Sequence, residues 1–134
     1  MTLVNSFDFK NLKDSDKKKV MDVYDCLKKK ASEGCVMTYT DLNITCNLDF
    51  NFNNIDDRNR ISHILGYIAR TEVEAERPML SAIVILKGHS PLQPAHGFHS
   101  YAEKLGIHTK DKDDIFWAKE LRRCFDYWRN NESN

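Results

Sequence analysis

The chain has 134 residues, 20 Lys and Arg against 20 Asp and Glu, 41% hydrophobic and 10% aromatic content. That length and apolar share make one globular domain with its own core and exclude a disordered chain. Zero net charge argues against a nonspecific nucleic-acid binder, whose phosphate contacts demand a basic excess, so any DNA or RNA role must rest on a local patch.

The four cysteines, Cys26, Cys35, Cys46 and Cys124, form no CxxC pair and no zinc spacing. Residues Met1 to Phe9 are short and include Asn5, Ser6 and Asp8, which is not signal-peptide composition. No apolar run nears the roughly 20 residues of a membrane span. The expectation is a cytoplasmic protein with reduced thiols, no membrane contact and no cofactor.

In chain order, a first helix is predicted from about Ser15 to Ser32. Ser15 is its cap, and Val20, Val23, Tyr24, Leu27 and Ala31 line one face. Its six lysines, Lys17 to Lys19 and Lys28 to Lys30, fit a solvated surface better than a phosphate stripe, because they spread around the axis. Gly34 stops this helix. Val36 to Tyr39 reads as a short strand, and Thr40 as the cap of a brief helix from Asp41 to about Cys46. Leu48 to Asn54 reads as a loop anchored by Phe50 and Phe52. A second long helix starts near Asp56 or Asp57 and runs to Thr71 or Val73, with Ile61, Ile64, Leu65 and Ile68 inward.

Met79 to Leu86 carries no charge and one hydroxyl, so both faces can be buried, and it reads as a central strand led by Pro78. A loop from Gly88 to His96 follows, then a helix from Phe98 to Leu105 stopped by Gly106. A final helix from Ile115 to Arg129 sets Trp117, Leu121, Cys124, Phe125 and Trp128 along one side, either closing the core or offering a partner surface. The tail from about Asn130 is expected to fray. The predicted core joins Leu27, Ile64, Ile68, Leu80, Ala82, Val84, Leu121 and Phe125.

Few motifs carry chemistry. Histidines 96 and 99 stand three apart, but no carboxylate or cysteine completes a recognised set and HExxH is absent, so no metal is expected. Ser81 lies within the apolar run rather than on a nucleophile elbow. Glu72, Glu74 and Glu76 beside Arg70 and Arg77 could form a carboxylate pair only if two converged on a cleft. On the second long helix, the 100° step places Asn59, Arg60, His63, Gly66, Tyr67 and Arg70 on the outward side. Arg and Asn can read base edges there, and Tyr can stack or bond phosphate.

The order helix, short strand with Tyr39, short helix, long helix, proline-led strand and Gly-Phe turn resembles the winged-helix domain of the alkylguanine-DNA alkyltransferases and alkyltransferase-like proteins. Tyr39-Thr40-Asp41-Leu42 is similar to that family's Tyr-x-x-Leu-Ala motif, and Ser81-Ala82-Ile83-Val84 falls where Cys-His-Arg-Val would stand. The resemblance spans about Tyr39 to Gly106 and implies a DNA-facing helix. The reactive Cys and its His are missing, so it does not imply alkyl transfer. The run Arg77 to Ala82, with Gly97-Phe98 and Tyr127-Trp128, also resembles a group of bacterial and phage proteins, which implies a phage or defence setting.

Together these features lead to a small helix-rich α+β domain, winged-helix-like with a central apolar strand. Its leading function is a non-enzymatic module contacting nucleic acid through Asn59, Arg60, His63, Tyr67 and Arg70, or a protein partner through the last helix. One alternative sequesters a partner or small nucleotide in a pocket of Arg77, Ser81, His89 and His96. Another is a hydrolase using the Glu72–Glu76 corner or the histidines. A homo-oligomer stays open.

Overall fold

Buried Val20, Val23, Leu27 and Ala31 recur at helical spacing along the first helix, α1 (Asp14–Ser32), in a computed structural model that describes residue 12 and residues 14–131. The helix begins one residue before Ser15, the predicted cap, and the fraying predicted for the tail falls mainly on residues outside those described. Gly34 closes α1 at φ +71°, and a Cβ there would sit 2.9 Å from the Arg129 guanidinium. Strand β1 (Met37–Thr38) leads directly into helix α2 (Tyr39–Thr45). The cap of α2 is Thr38, two residues before the predicted Thr40. Its hydroxyl accepts from the Asp41 amide at 3.1 Å, while Asp41 accepts from the Thr38 amide at 3.2 Å. The acid that completes a capping box was present in the sequence, in a register two residues earlier.

Between α2 and the next helix, the Asn43 side chain bonds both backbone groups of Phe50, at 2.9 and 3.0 Å, and fixes the loop. Helix α3 (Ile55–Glu74) is capped by Asn54 and buries Ile61, Ile64, Leu65 and Ile68 as its spacing dictates. Helix α4 (Phe98–Lys104) starts on Gly97 at φ +89°, and α5 (Asp113–Asn130) packs along α1.

The predicted central strand is the main departure. Residues 78–85 are all buried, yet Leu80–Ile83 form a 3-10 turn and only β2 (Val84–Ile85) is strand, parallel to β1 through Met37–Val84 and Thr38–Ile85. A continuous apolar run signals burial without fixing its backbone form. Helix α5 makes the irregular backbone tolerable by supplying side-chain partners. Glu120 accepts the Met79 amide at 2.7 Å, the Trp117 indole donates to the Ala82 carbonyl at 3.0 Å, and the Cys124 thiol donates to the Met79 carbonyl at 3.2 Å. The buried face of α5 therefore runs Phe116, Trp117, Glu120, Cys124 and Trp128, rotated from the predicted stripe, with Leu121 and Phe125 only half-buried. The other six predicted core residues are buried together. Among the described residues the protein is helix-rich, with five α-helices and one two-stranded parallel sheet.

Candidate nucleic-acid interface

The predicted outward face of α3 divides. Asn59 is exposed, His63, Tyr67 and Arg70 are half-buried, and Gly66 is buried. Arg60 turns toward α1. Its Nη2 donates to Asp16 Oδ1 at 2.7 Å, Nε to Oδ2 at 3.0 Å, and Nη1 to Asp57 Oδ1 at 3.2 Å. The Phe50 ring supports the guanidinium at 4.7 Å. Asp16 is only 1% exposed. Its hydrogen bonds raise the Arg60 pKa, against a smaller opposing effect of burial. Arg60 is thus a strut between α1 and α3, a correction to its expected role. Helical phase alone could not reveal the buried acid waiting on another helix. Arg70 lies along Glu74, with Nε 3.0 Å from Oε2.

A groove of about 240 Å³ opens beside this face. The β1–β2 pairing sets its two edges, because Thr38 ends one strand and Tyr39 opens α2 directly after it, while Lys87 lies two residues past Ile85 of the other. Tyr39 and Phe52 form an aromatic wall with ring centres 5.8 Å apart, and Ile61 lines the groove with them. Arg58, from the first turns of α3, and Lys87 line it as well. Both cations are exposed, and neither pairs with an acid among the described residues. Burial pushes the Tyr39 phenol up to about 12, with a smaller contribution from Tyr101, so it stays a neutral hydroxyl at physiological pH. Asp41, the nearest acid in sequence to Tyr39, is engaged at the Thr38 amide. The groove was missed because Tyr39, Phe52, Arg58 and Lys87 are scattered over 49 positions and share no helical phase. Tyr39 was singled out only through the alkyltransferase-like motif.

The alternative sites are not assembled as predicted. Arg77 clamps Glu72 through Nη2 at 2.8 Å and Nε at 3.1 Å, and the Tyr24 hydroxyl adds a bond at 2.9 Å. Glu72 is wholly buried. Ser81 and His96 line an internal void of about 10 Å³, too small for a nucleotide, while His89 and His96 line a separate open hollow of about 420 Å³. Arg77 lines neither. In the acidic corner, Glu72 is held by Arg77, Glu74 by Arg70, and Glu76 is exposed at φ +60°. These carboxylates have separate partners and do not form an acid–base pair. On α5, Trp117 and Trp128 are 7% exposed and close the core, while Leu121 and Phe125 of the same predicted stripe are half-buried.

His99 meets His108 and Asp113, not His96. The ring of His108 stacks on Phe116 at 4.2 Å, and one donor atom each of His99, His108 and Asp113 lies within 4.8 Å of the other two. Burial lowers the His99 pKa, partly offset by the Asp113 charge. No helix among the described residues is long and apolar enough to cross a membrane. No protein-family model, no curated protein and no solved structure matches this chain.

Proposed function

We propose that this chain is a non-enzymatic binding module of winged-helix character that takes single-stranded nucleic acid in the groove between α2, α3 and the loop after β2. The supporting observation is an aromatic wall, Tyr39 and Phe52, flanked by two cations, Arg58 and Lys87, that have no acidic partner among the described residues. An unpaired base can stack on such rings, each stack contributing roughly 1–3 kcal/mol, while the cations take the adjoining phosphates. The Thr38 and Thr40 hydroxyls on the same groove offer hydrogen bonds to sugar or base. At about 240 Å³ the groove admits one base rather than a large cofactor, below the roughly 300–1,000 Å³ of most ligand pockets.

The winged-helix reading draws on the Leu86–Gln93 segment. Leu86 donates to the Gln93 carbonyl at 3.0 Å and Ala95 to the Val84 carbonyl at 2.9 Å, folding the chain back on itself after β2 as a wing would. The parallel β1–β2 pair differs from a purely antiparallel wing sheet. Four unpaired thiols accord with a reducing compartment and hence the cytoplasm. A phage or defence setting, where single strands arise, would suit such a module.

The reading is tested by fluorescence anisotropy of short DNA and RNA oligonucleotides across a salt series. With neutral net charge and two cations at the groove, affinity should be weak and modestly salt-dependent. The double variant Arg58→Ala/Lys87→Ala should lower affinity and flatten the salt slope by about 1.4 units, since each phosphate contact to a single strand contributes roughly 0.7. Both side chains are exposed, so folding should be retained. An unchanged slope, or a parent that binds nothing at low salt, overturns the proposal.

A further inference from the structure

Apart from the groove residues, two imidazole nitrogens and one carboxylate oxygen converge, from His99, His108 and Asp113. His108 Nδ1 lies 2.8 Å from the Thr109 carbonyl, which can only accept, so that nitrogen carries the ring proton. In the neutral ring Nε2 is then a bare lone pair, and it sits 3.0 Å from Asp113 Oδ1. His99 Nδ1 approaches the same carboxylate oxygen at 3.8 Å and is buried with no hydrogen-bond partner. In that tautomer the Nε2 and Oδ1 lone pairs repel at 3.0 Å unless a proton or a metal cation lies between them. A proton on His108 would serve one contact; it would leave His99 unsatisfied.

We propose that His99, His108 and Asp113 bind a first-row divalent cation, Zn²⁺ foremost, through two imidazole nitrogens and one carboxylate oxygen. Zinc bonds of about 2.0–2.1 Å at tetrahedral angles set ligand atoms roughly 3.4 Å apart. The 3.0 and 3.8 Å separations straddle that value, and the widest pair lies within 4.8 Å. Asp113 is the most exposed of the three and can adjust by rotation. The two rings are already held. His108 stacks on Phe116 at 4.2 Å, and His99 packs edge-on against Phe98 at 5.1 Å. The Thr109 carbonyl orients His108 from behind, as outer partners of metal-bound histidines do. The three ligands come from α4, the connection after it and the first residue of α5, so the cation would staple α4 to α5 across residues 105–112. A fourth position is left for water or an outside ligand. The site is independent of the groove.

The experiment uses the untagged full chain, titrated with ZnCl₂ by calorimetry and with CoCl₂ by absorption. One equivalent of Zn²⁺ should bind, raising the Tm, and the rise should vanish with EDTA. Co²⁺ should give a tetrahedral or five-coordinate spectrum without a thiolate charge-transfer band. His99→Gln and Asp113→Asn should each weaken Zn²⁺ binding by at least about tenfold while keeping the metal-free Tm within a few degrees of the parent. Should His99→Gln unfold, Asp113→Asn alone still decides the matter, since its side chain is largely exposed. Absence of binding at micromolar metal, or binding that persists in both variants or shows thiolate bands, overturns the proposal.

Discussion

Glu72 has no exposure at all, and Arg77 grips both its oxygens while Tyr24 donates a further bond. Asp16 stands in the same relation to Arg60, with Lys19 a looser third partner at 3.7 Å. Removing one partner from a buried pair strands the other charge, so Arg77→Ala should destabilise by roughly 3–5 kcal/mol. Arg60→Ala should cost less, about 2–3 kcal/mol, because Lys19 remains. Urea unfolding measures both; losses below about 1 kcal/mol would show that these cations are dispensable. Tyr24 supplies a pH test. Burial, followed by the Glu72 bond, pushes its phenol up from 10.0 to about 12. The unfolded chain therefore releases this proton first, so the contribution is complete below pH 10 and disappears as pH rises from about 10 to 12. Tyr24→Phe should lower the urea midpoint at neutral pH and flatten its fall over that alkaline window relative to the parent. An identical alkaline slope would remove Tyr24 from the account.

Among the elements, α1 and α3 were legible because their buried faces repeat at helical spacing, Gly34 follows α1, and Asp56 and Asp57 stand in the first turn of α3, whose cap is Asn54. The segment 78–85 was legible as buried but not as a 3-10 turn, since its partners are three α5 side chains rather than a neighbouring strand. Glu120 explains the rotated face of α5. A carboxylate inside the core is invisible to hydropathy, yet the Met79 amide requires an acceptor there. Packing should follow the observed face. Ile64→Ala, fully buried, should cost roughly 2–5 kcal/mol, and Leu121→Ala, half-buried, clearly less. Equal losses would restore the predicted stripe. On the proposed nucleic-acid reading, the capping box bears on binding as well as stability. Thr38→Ala should destabilise by about 1 kcal/mol. It should also weaken oligonucleotide binding, because Tyr39 begins the helix that Thr38 caps. Intact binding after a measured loss of stability would separate the cap from the groove.

Over the whole molecule, zero net charge gives no broad field to attract nucleic acid, so the proposed binding rests on Arg58 and Lys87, which have no acidic partner among the described residues. Of the candidate site, the sequence showed basic and aromatic residues around α3, but not which cations are consumed by the fold. Arg60 stood on the favoured face and is bound to Asp16; Arg58, two residues earlier and about 200° around the helix, lines the groove. That distinction depends on contacts between residues 44 positions apart, which no local pattern encodes. The most direct test is an amide NMR titration of the ¹⁵N-labelled chain with a short single-stranded oligonucleotide at low salt. Shifts should concentrate at Thr38, Tyr39, Thr40, Phe52, Arg58 and Lys87, with α5 unmoved. Shifts centred on α5 or on the His99–Asp113 end, or no shifts at all, would contradict the groove as the binding site.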